Sequence, residues 1–230
     1  MECQMSAAEL DVIGLTLKTA SVSTVLSMPI AIWLGWVMAR KRIRFKPALE
    51  AFISMPLVVP PVVTGYLLIL LLGRNSALGG TLFDWFGWQF TFNFAALVLA
   101  SVVVSLPLAV RAIRSAFEMV NPAYEKVAAT LGAPPWIAFL RIALPLALPG
   151  IISGIVLSFA RSLGEFGATI TLAGNIPGRT QTVALKIYSN MQVPGEEMQV
   201  ARLVVISILL SVVAMAASEW ISRKQRFGRR

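Results

Sequence analysis

The chain has 230 residues, of which 57% are hydrophobic and 13% charged, with a mean hydropathy of +0.76. Soluble domains carry about a quarter charged residues, so this composition excludes one and points to an all-α, polytopic membrane protein. The net charge of +9 does not indicate nucleic acid, because the basic residues flank apolar runs; with no His and one Cys, Cys3, the chain cannot assemble a His/Cys metal centre, a thiol redox pair or a His-based triad.

The N-terminus, Met-Glu-Cys-Gln-Met-Ser-Ala-Ala-Glu, lacks a basic n-region, so the first apolar run is expected to be an uncleaved span. A span needs about 20 mainly apolar residues, and five windows qualify: 12–39, 51–72, 92–110, 142–163 and 201–220. Together they predict one transmembrane domain over 1–230, a bundle of five helices. Arg40, Lys41, Arg42, Arg44 and Lys46 follow the first window, Arg111, Arg114, Lys126 and Arg141 lie in the third connection, and Arg223, Lys224, Arg226, Arg229 and Arg230 end the chain. The positive-inside rule places these on the cytoplasmic side, with the N-terminus, the 73–91 loop and the 161–200 stretch outside or within the membrane.

Several intramembrane features have structural explanations. Pro29, Pro56, Pro60, Pro61, Pro107, Pro145 and Pro149 predict kinked helices, since neighbouring helices can satisfy the backbone groups that proline frees. Gly150 and Gly154 form a GxxxG spacing suited to close helix packing. Trp85, Trp88 and Trp220 fall where an aromatic belt would lie.

Between the third and fourth windows a short helix is predicted over 122–132. Asn121 is a good N-cap, Pro122 suits the first turn, Glu125 lies near the positive end, and Gly132 before Pro134 and Pro135 is a stop. Tyr124, Val127, Ala128 and Leu131 make one apolar stripe, with Glu125, Lys126 and Thr130 pointing elsewhere. A helix of about ten residues is marginal alone and needs a surface. That surface is the lipid interface, the chain's own bundle or a protein groove; the small Ala128, Ala129 and Gly132 favour close approach by a protein, whereas lipid-seeking helices are bulkier and more basic.

Near the end of the fourth window Arg161 and Glu165 stand four residues apart, so they are expected to share a helical face and can neutralise each other. Three roles compete: a structural ion pair, the lining of a gate or pathway that includes Thr169, and direct anion binding by Arg161. Gly164 and Gly167 would loosen the helix as a hinge, and residues 175–178 read as a turn.

The run Glu125-Lys-Val-Ala-Ala-Thr-Leu-Gly132, followed after nine residues by Ile142-Ala-Leu-Pro145, resembles the EAA loop of ABC-type import permeases, although Lys126 and Val127 separate Glu125 from the Ala pair. In that family the loop is a coupling helix seated in a groove of a separate ATPase. The resemblance therefore implies coupling roles for Asn121, Tyr124, Glu125, Ala128, Ala129 and Gly132. The runs Ser158-Phe-Ala-Arg-Ser-Leu-Gly-Glu-Phe-Gly-Ala-Thr-Ile-Thr171, Asn175-Ile-Pro-Gly178, Leu57-Val-Val-Pro-Pro-Val-Val-Thr-Gly-Tyr66 and Asp84-Trp-Phe-Gly87 resemble the molybdate importer permeases, and less closely their sulfate and thiosulfate relatives. What the resemblance implies is a type I importer of the bacterial inner membrane: two copies of this chain, two ATPase subunits using ATP and Mg, and an external protein that delivers molybdate or tungstate. No cofactor is expected on this chain, which has no phosphate-binding Gly-x-x-x-x-Gly-Lys-Ser/Thr loop and so is not itself expected to be an enzyme. The alternatives are a sulfate or thiosulfate permease, or a gradient-driven transporter or channel using Arg161 and Glu165, against which stands the absence of an evident inverted repeat.

Overall fold

A computed structural model describes residues 7–41 and 44–227, with side chains over 8–41 and 44–216. Cys3, Arg42, Trp220 and the basic tail lie outside the described side chains. The regular structure of the described residues is all helical, in eleven α-helices and one π-helical turn.

Three long helices form the centre: α1 (Ala7–Arg40), α5 (Phe94–Met119) and α8 (Leu144–Leu163). No hydrophobic driving force brings helices together inside lipid, so their association depends on fit and on interhelical hydrogen bonds. Both are present. Small residues bring the backbones close: a Cβ added to Gly150 would lie 2.2 Å from Ala116 Cβ, and one on Gly154 2.9 Å from Ile113 Cγ1. The GxxxG of α8 is thus a groove that receives α5. Buried hydroxyls supply the hydrogen bonds: Ser23 of α1 meets Ser162 of α8 at 3.2 Å, Ser27 meets Ser158 at 3.3 Å, and Ser158 donates to Ser105 of α5 at 3.1 Å. Towards the other end, Met28, Ala31, Ile113, Phe117, Ala147 and Ile151 close an apolar core.

The second predicted window is not a straight span. It is α2 (Lys46–Val58) and α3 (Pro61–Leu72), bent by 111°. The cause is local: proline disfavours helical geometry in the residue before it, and Pro60 and Pro61 remove two successive donors. Val59 is accordingly extended, at φ −69° and ψ 136°. The other intramembrane prolines do not break their helices. Pro29, Pro107 and Pro149 lie inside α1, α5 and α8, and just before Pro145 the ladder slips into a π turn, Phe139–Ala143, where Leu144 N–H bonds to Phe139 O.

The remaining spans are longer than the apolar windows. The third reaches Met119 and so contains Arg111 and Arg114, which were expected in the connection; Arg114 pairs with Glu50 of α2 at 2.5 Å and with Glu118 at 2.7 Å, and Arg111 donates to Ser54 of α2 at 2.9 Å. The fourth begins at Pro135, in the short α7 (Pro135–Ala138). The last, α11 (Glu197–Phe227), packs on α8. In the 73–91 loop, α4 (Ala77–Phe86) is capped by Ser76, whose Oγ accepts from Gly79 N–H at 2.8 Å, and it leaves Trp85 and Trp88 exposed, as belt residues would be. The ends of the molecule differ. One gathers the end of α1, the start of α2 and residues 111–141, while the other gathers the start of α1, α4 and the 164–200 stretch.

Candidate functional site

The short connecting helix is α6 (Ala123–Thr130), shorter than the predicted 122–132. Pro122, not Asn121, occupies the cap position; Asn121 Oδ1 instead accepts from Ala123 N–H at 2.9 Å, an Asx turn that still satisfies one orphan donor. The helix closes through both bonds of a Schellman motif, Gly132 N–H to Ala129 O at 3.0 Å and Ala133 N–H to Ala128 O at 2.9 Å. That closure holds Gly132 at φ +83°, with open space around its α-carbon. Backbone conformation, not packing, demands glycine here.

The predicted stripe divides. Ala128 is buried beneath the helix, whereas Tyr124, Val127 and Leu131 are 55%, 57% and 82% exposed, and Ala129 and Gly132 are exposed beside them. The bundle satisfies only one point of the stripe, so the rest is left as an apolar outer surface. Glu125 turns inward instead of outward. Its Oε1 accepts from Arg40 Nε at 2.7 Å, and Arg40 Nη2 donates to Val120 O at 2.9 Å.

The second site begins where α8 ends at Leu163. Arg161 and Glu165 pair at 2.8 Å, but the pair closes across a helix terminus and does not lie on one continuous helical face. Glu165 is buried, and its other oxygen accepts from Ala168 N–H at 2.8 Å, capping α9 (Gly167–Leu172). One carboxylate therefore joins α8 to α9. Gly164 is exposed in the connecting turn, but Gly167 is not a free hinge: a Cβ there would sit 2.7 Å from Pro61 Cβ of α3. Thr169 is buried and returns its hydroxyl to Phe166 O at 2.9 Å. The turn expected at 175–178 lies two residues later, at 177–180, where Thr180 N–H donates to Ile176 O at 2.9 Å and Ile176 N–H donates to Thr180 Oγ1 at 3.0 Å. Sequence reasoning missed a second pair, Glu9 of α1 with Arg202 of α11 at 3.2 Å, and α10 (Val183–Asn190), whose Val183 N–H donates to Thr16 Oγ1 at 2.9 Å. Only the intramembrane charge of Arg202 could have flagged the former.

The structure thus presents an exposed, capped helix at one end and a charge-stitched helix break towards the other. Residues 31–227 match the binding-protein-dependent transport system inner membrane component family. The chain belongs to this family. It is 48% identical over 218 residues to the molybdenum transport system permease protein ModB of Haemophilus influenzae, covering 95% of each chain, and 48% identical to ModB of Escherichia coli K12, covering 94% of this chain and 95% of that one. The sulfate transport system permease protein CysT of E. coli K12 is 32% identical, over 94% of this chain and 76% of that one. The fold is that of type I importer permeases. An inward-facing structure of the MetNI methionine ABC transporter superposes with a TM-score of 0.74 at 16% identity, over 97% and 99% of the two chains, and a bacterial alginate importer with 0.71 at 18%, over 96% and 80%. This importer permease is a multi-pass inner-membrane protein.

Proposed function

We propose that the chain is the permease subunit of an ATP-driven importer of molybdate and tungstate, working as two copies with two ATPase subunits and an external binding protein. The observation that carries the reading is α6: an exposed apolar surface of Tyr124, Val127 and Leu131, locked by the Gly132 closure, at the end where Arg40, Arg111 and Arg114 cluster. Those bases support a cytoplasmic placement for that end, where an ATPase would dock, with the N-terminus outside and the C-terminus inside. The cargo is supported by 48% identity to permeases named for molybdenum transport, against 32% to the sulfate permease.

Closure of the ATPase dimer would displace both copies of α6, and the bundle would respond by rigid-body rotation between inward-open and outward-open states. Arg161 and Glu165 hold the α8–α9 break together, and with Thr169 they are candidates for the gate. The test is ATP hydrolysis by the reconstituted complex, stimulated in turn by binding protein loaded with molybdate, tungstate or sulfate. Stimulation by molybdate and tungstate is expected; stimulation by sulfate alone would move the assignment to a sulfate permease, and uptake without any ATPase would overturn it.

A further inference from the structure

The coupling helix is tied to the end of α1 by one arginine that no sequence motif marks, besides its packing through Ala128. Arg40 closes the last turn of α1, donates from Nε to Glu125 of α6 and donates from Nη2 to Val120 O, the carbonyl at the end of α5. Both side chains of the ion pair are largely withdrawn from solvent, at 11% and 19% exposure. A charge-assisted hydrogen bond so placed is short and directional, unlike a surface ion pair. Arg40 is also backed by a ring contact: Trp36, one turn earlier, meets Phe139 edge-on at 5.1 Å, just after the connection leaves α6.

What α1 touches further along gives this clasp its consequence. The helix runs unbroken for 34 residues, about 50 Å at 1.5 Å per residue. At mid-length Ser23 and Ser27 are bonded to Ser162 and Ser158 of α8, on the turn that carries Arg161. Near its far end Thr16 accepts from the first amide of α10, and Glu9 pairs with Arg202 of α11. One element therefore joins the coupling helix to the charged helix break and to both helices beyond it.

We infer that Arg40 is a positioning residue for transport, the joint through which displacement of α6 is passed to α1 and thence to the far end of the bundle. The inference rests on the coupling-helix reading above. A guanidinium suits this joint because it spans two acceptors in a fixed plane, which a lysine ammonium does with less definition. Glu125 is then an anchor facing its own bundle, which leaves docking of the ATPase to Tyr124, Val127 and Leu131.

The test uses the complete complex in proteoliposomes, reading three quantities: ATPase retained on the purified permease, ATP hydrolysed, and molybdate taken up per ATP. Arg40→Ala is expected to keep the ATPase bound while uptake per ATP falls by about threefold to thirtyfold, the range that joints in a coupling network produce. Arg40→Lys, which keeps the positive charge needed for correct insertion, is expected to fall between Arg40→Ala and the unaltered chain, and it decides the matter alone should the alanine variant not assemble. Uptake per ATP equal to that of the unaltered chain in Arg40→Lys and in any assembled Arg40→Ala overturns the inference. An unaltered chain that binds no ATPase removes the coupling reading itself, and this is seen before any variant is made.

Discussion

Gly132 and Glu165 each serve two ends with one residue, and each makes a prediction that separates backbone from side-chain roles. An L-residue at the φ of +83° seen for Gly132 costs about 1 to 2 kcal/mol, while Asn tolerates it better. Gly132→Val should therefore fray the end of α6 and lower the yield of co-purified ATPase, with Gly132→Asn intermediate and membrane insertion unchanged in both. Equal retention by the valine variant would show that the closure is not what presents the docking surface. At Glu165 the carboxylate serves Arg161 and Ala168 N–H together. Glu165→Gln retains an acceptor for the amide, so it should lower the melting temperature less than Glu165→Ala. Arg161→Ala strands a buried carboxylate, a change worth about 3 to 5 kcal/mol in fully buried pairs, discounted here because Arg161 is 28% exposed. A melting temperature unchanged by Arg161→Ala, with transport lost, would assign the arginine to the pathway rather than to the scaffold.

Among the helices, α5 and α8 meet at a close juncture, where Gly150 faces Ala116. Gly150→Ala should destabilise the folded permease in detergent, and Ala116→Gly in the same chain should restore much of the loss, because the two changes share one contact. Failure of the second change to rescue the first would mean that the helices can separate without cost. Apolar length made α1, α5, α8 and α11 legible in the sequence, since lipid accepts little else. The break between α2 and α3 was half legible: Pro60 and Pro61 predict distortion, but its angle of 111° depends on what the two halves meet, including Gly167 and Ala168 of α9. The short α9 and α10 lay hidden in a polar stretch too brief for any period to register. The direction of Glu125 was not legible, because its partner Arg40 lies 85 positions away. A helical wheel separates faces; it does not say which face the bundle has already covered.

For the whole molecule, the path of the chain between α1 and α5 decides how many times the membrane is crossed. Among the described residues four helices are long and apolar enough to cross alone, and the bent pair α2–α3 makes a fifth crossing only if its two halves together traverse the bilayer. The basic residues favour crossing. Arg44 precedes α2 and Lys46 begins it, on the side of Arg111 and Arg114 to which α2 is pinned by Glu50 and Ser54. After α3 the chain enters α4, which shares its end of the molecule with Phe92 and Leu172, whose backbones bond at 3.1 Å. A re-entrant loop would return the start of α4 to the side of Phe45, separating it from these neighbours. Cys3 is the chain's only cysteine, so replacing it with serine gives a clean background for labelling. Phe45→Cys should react with a membrane-impermeant maleimide only after the cells are opened, whereas Ser76→Cys should react in intact cells. Labelling of both positions from the same side would make α2–α3 re-entrant and the span count four. That result would also put the two termini on one side and move α6 away from the face where an ATPase can reach it, or else require the start of α1 to lie in the cytoplasm.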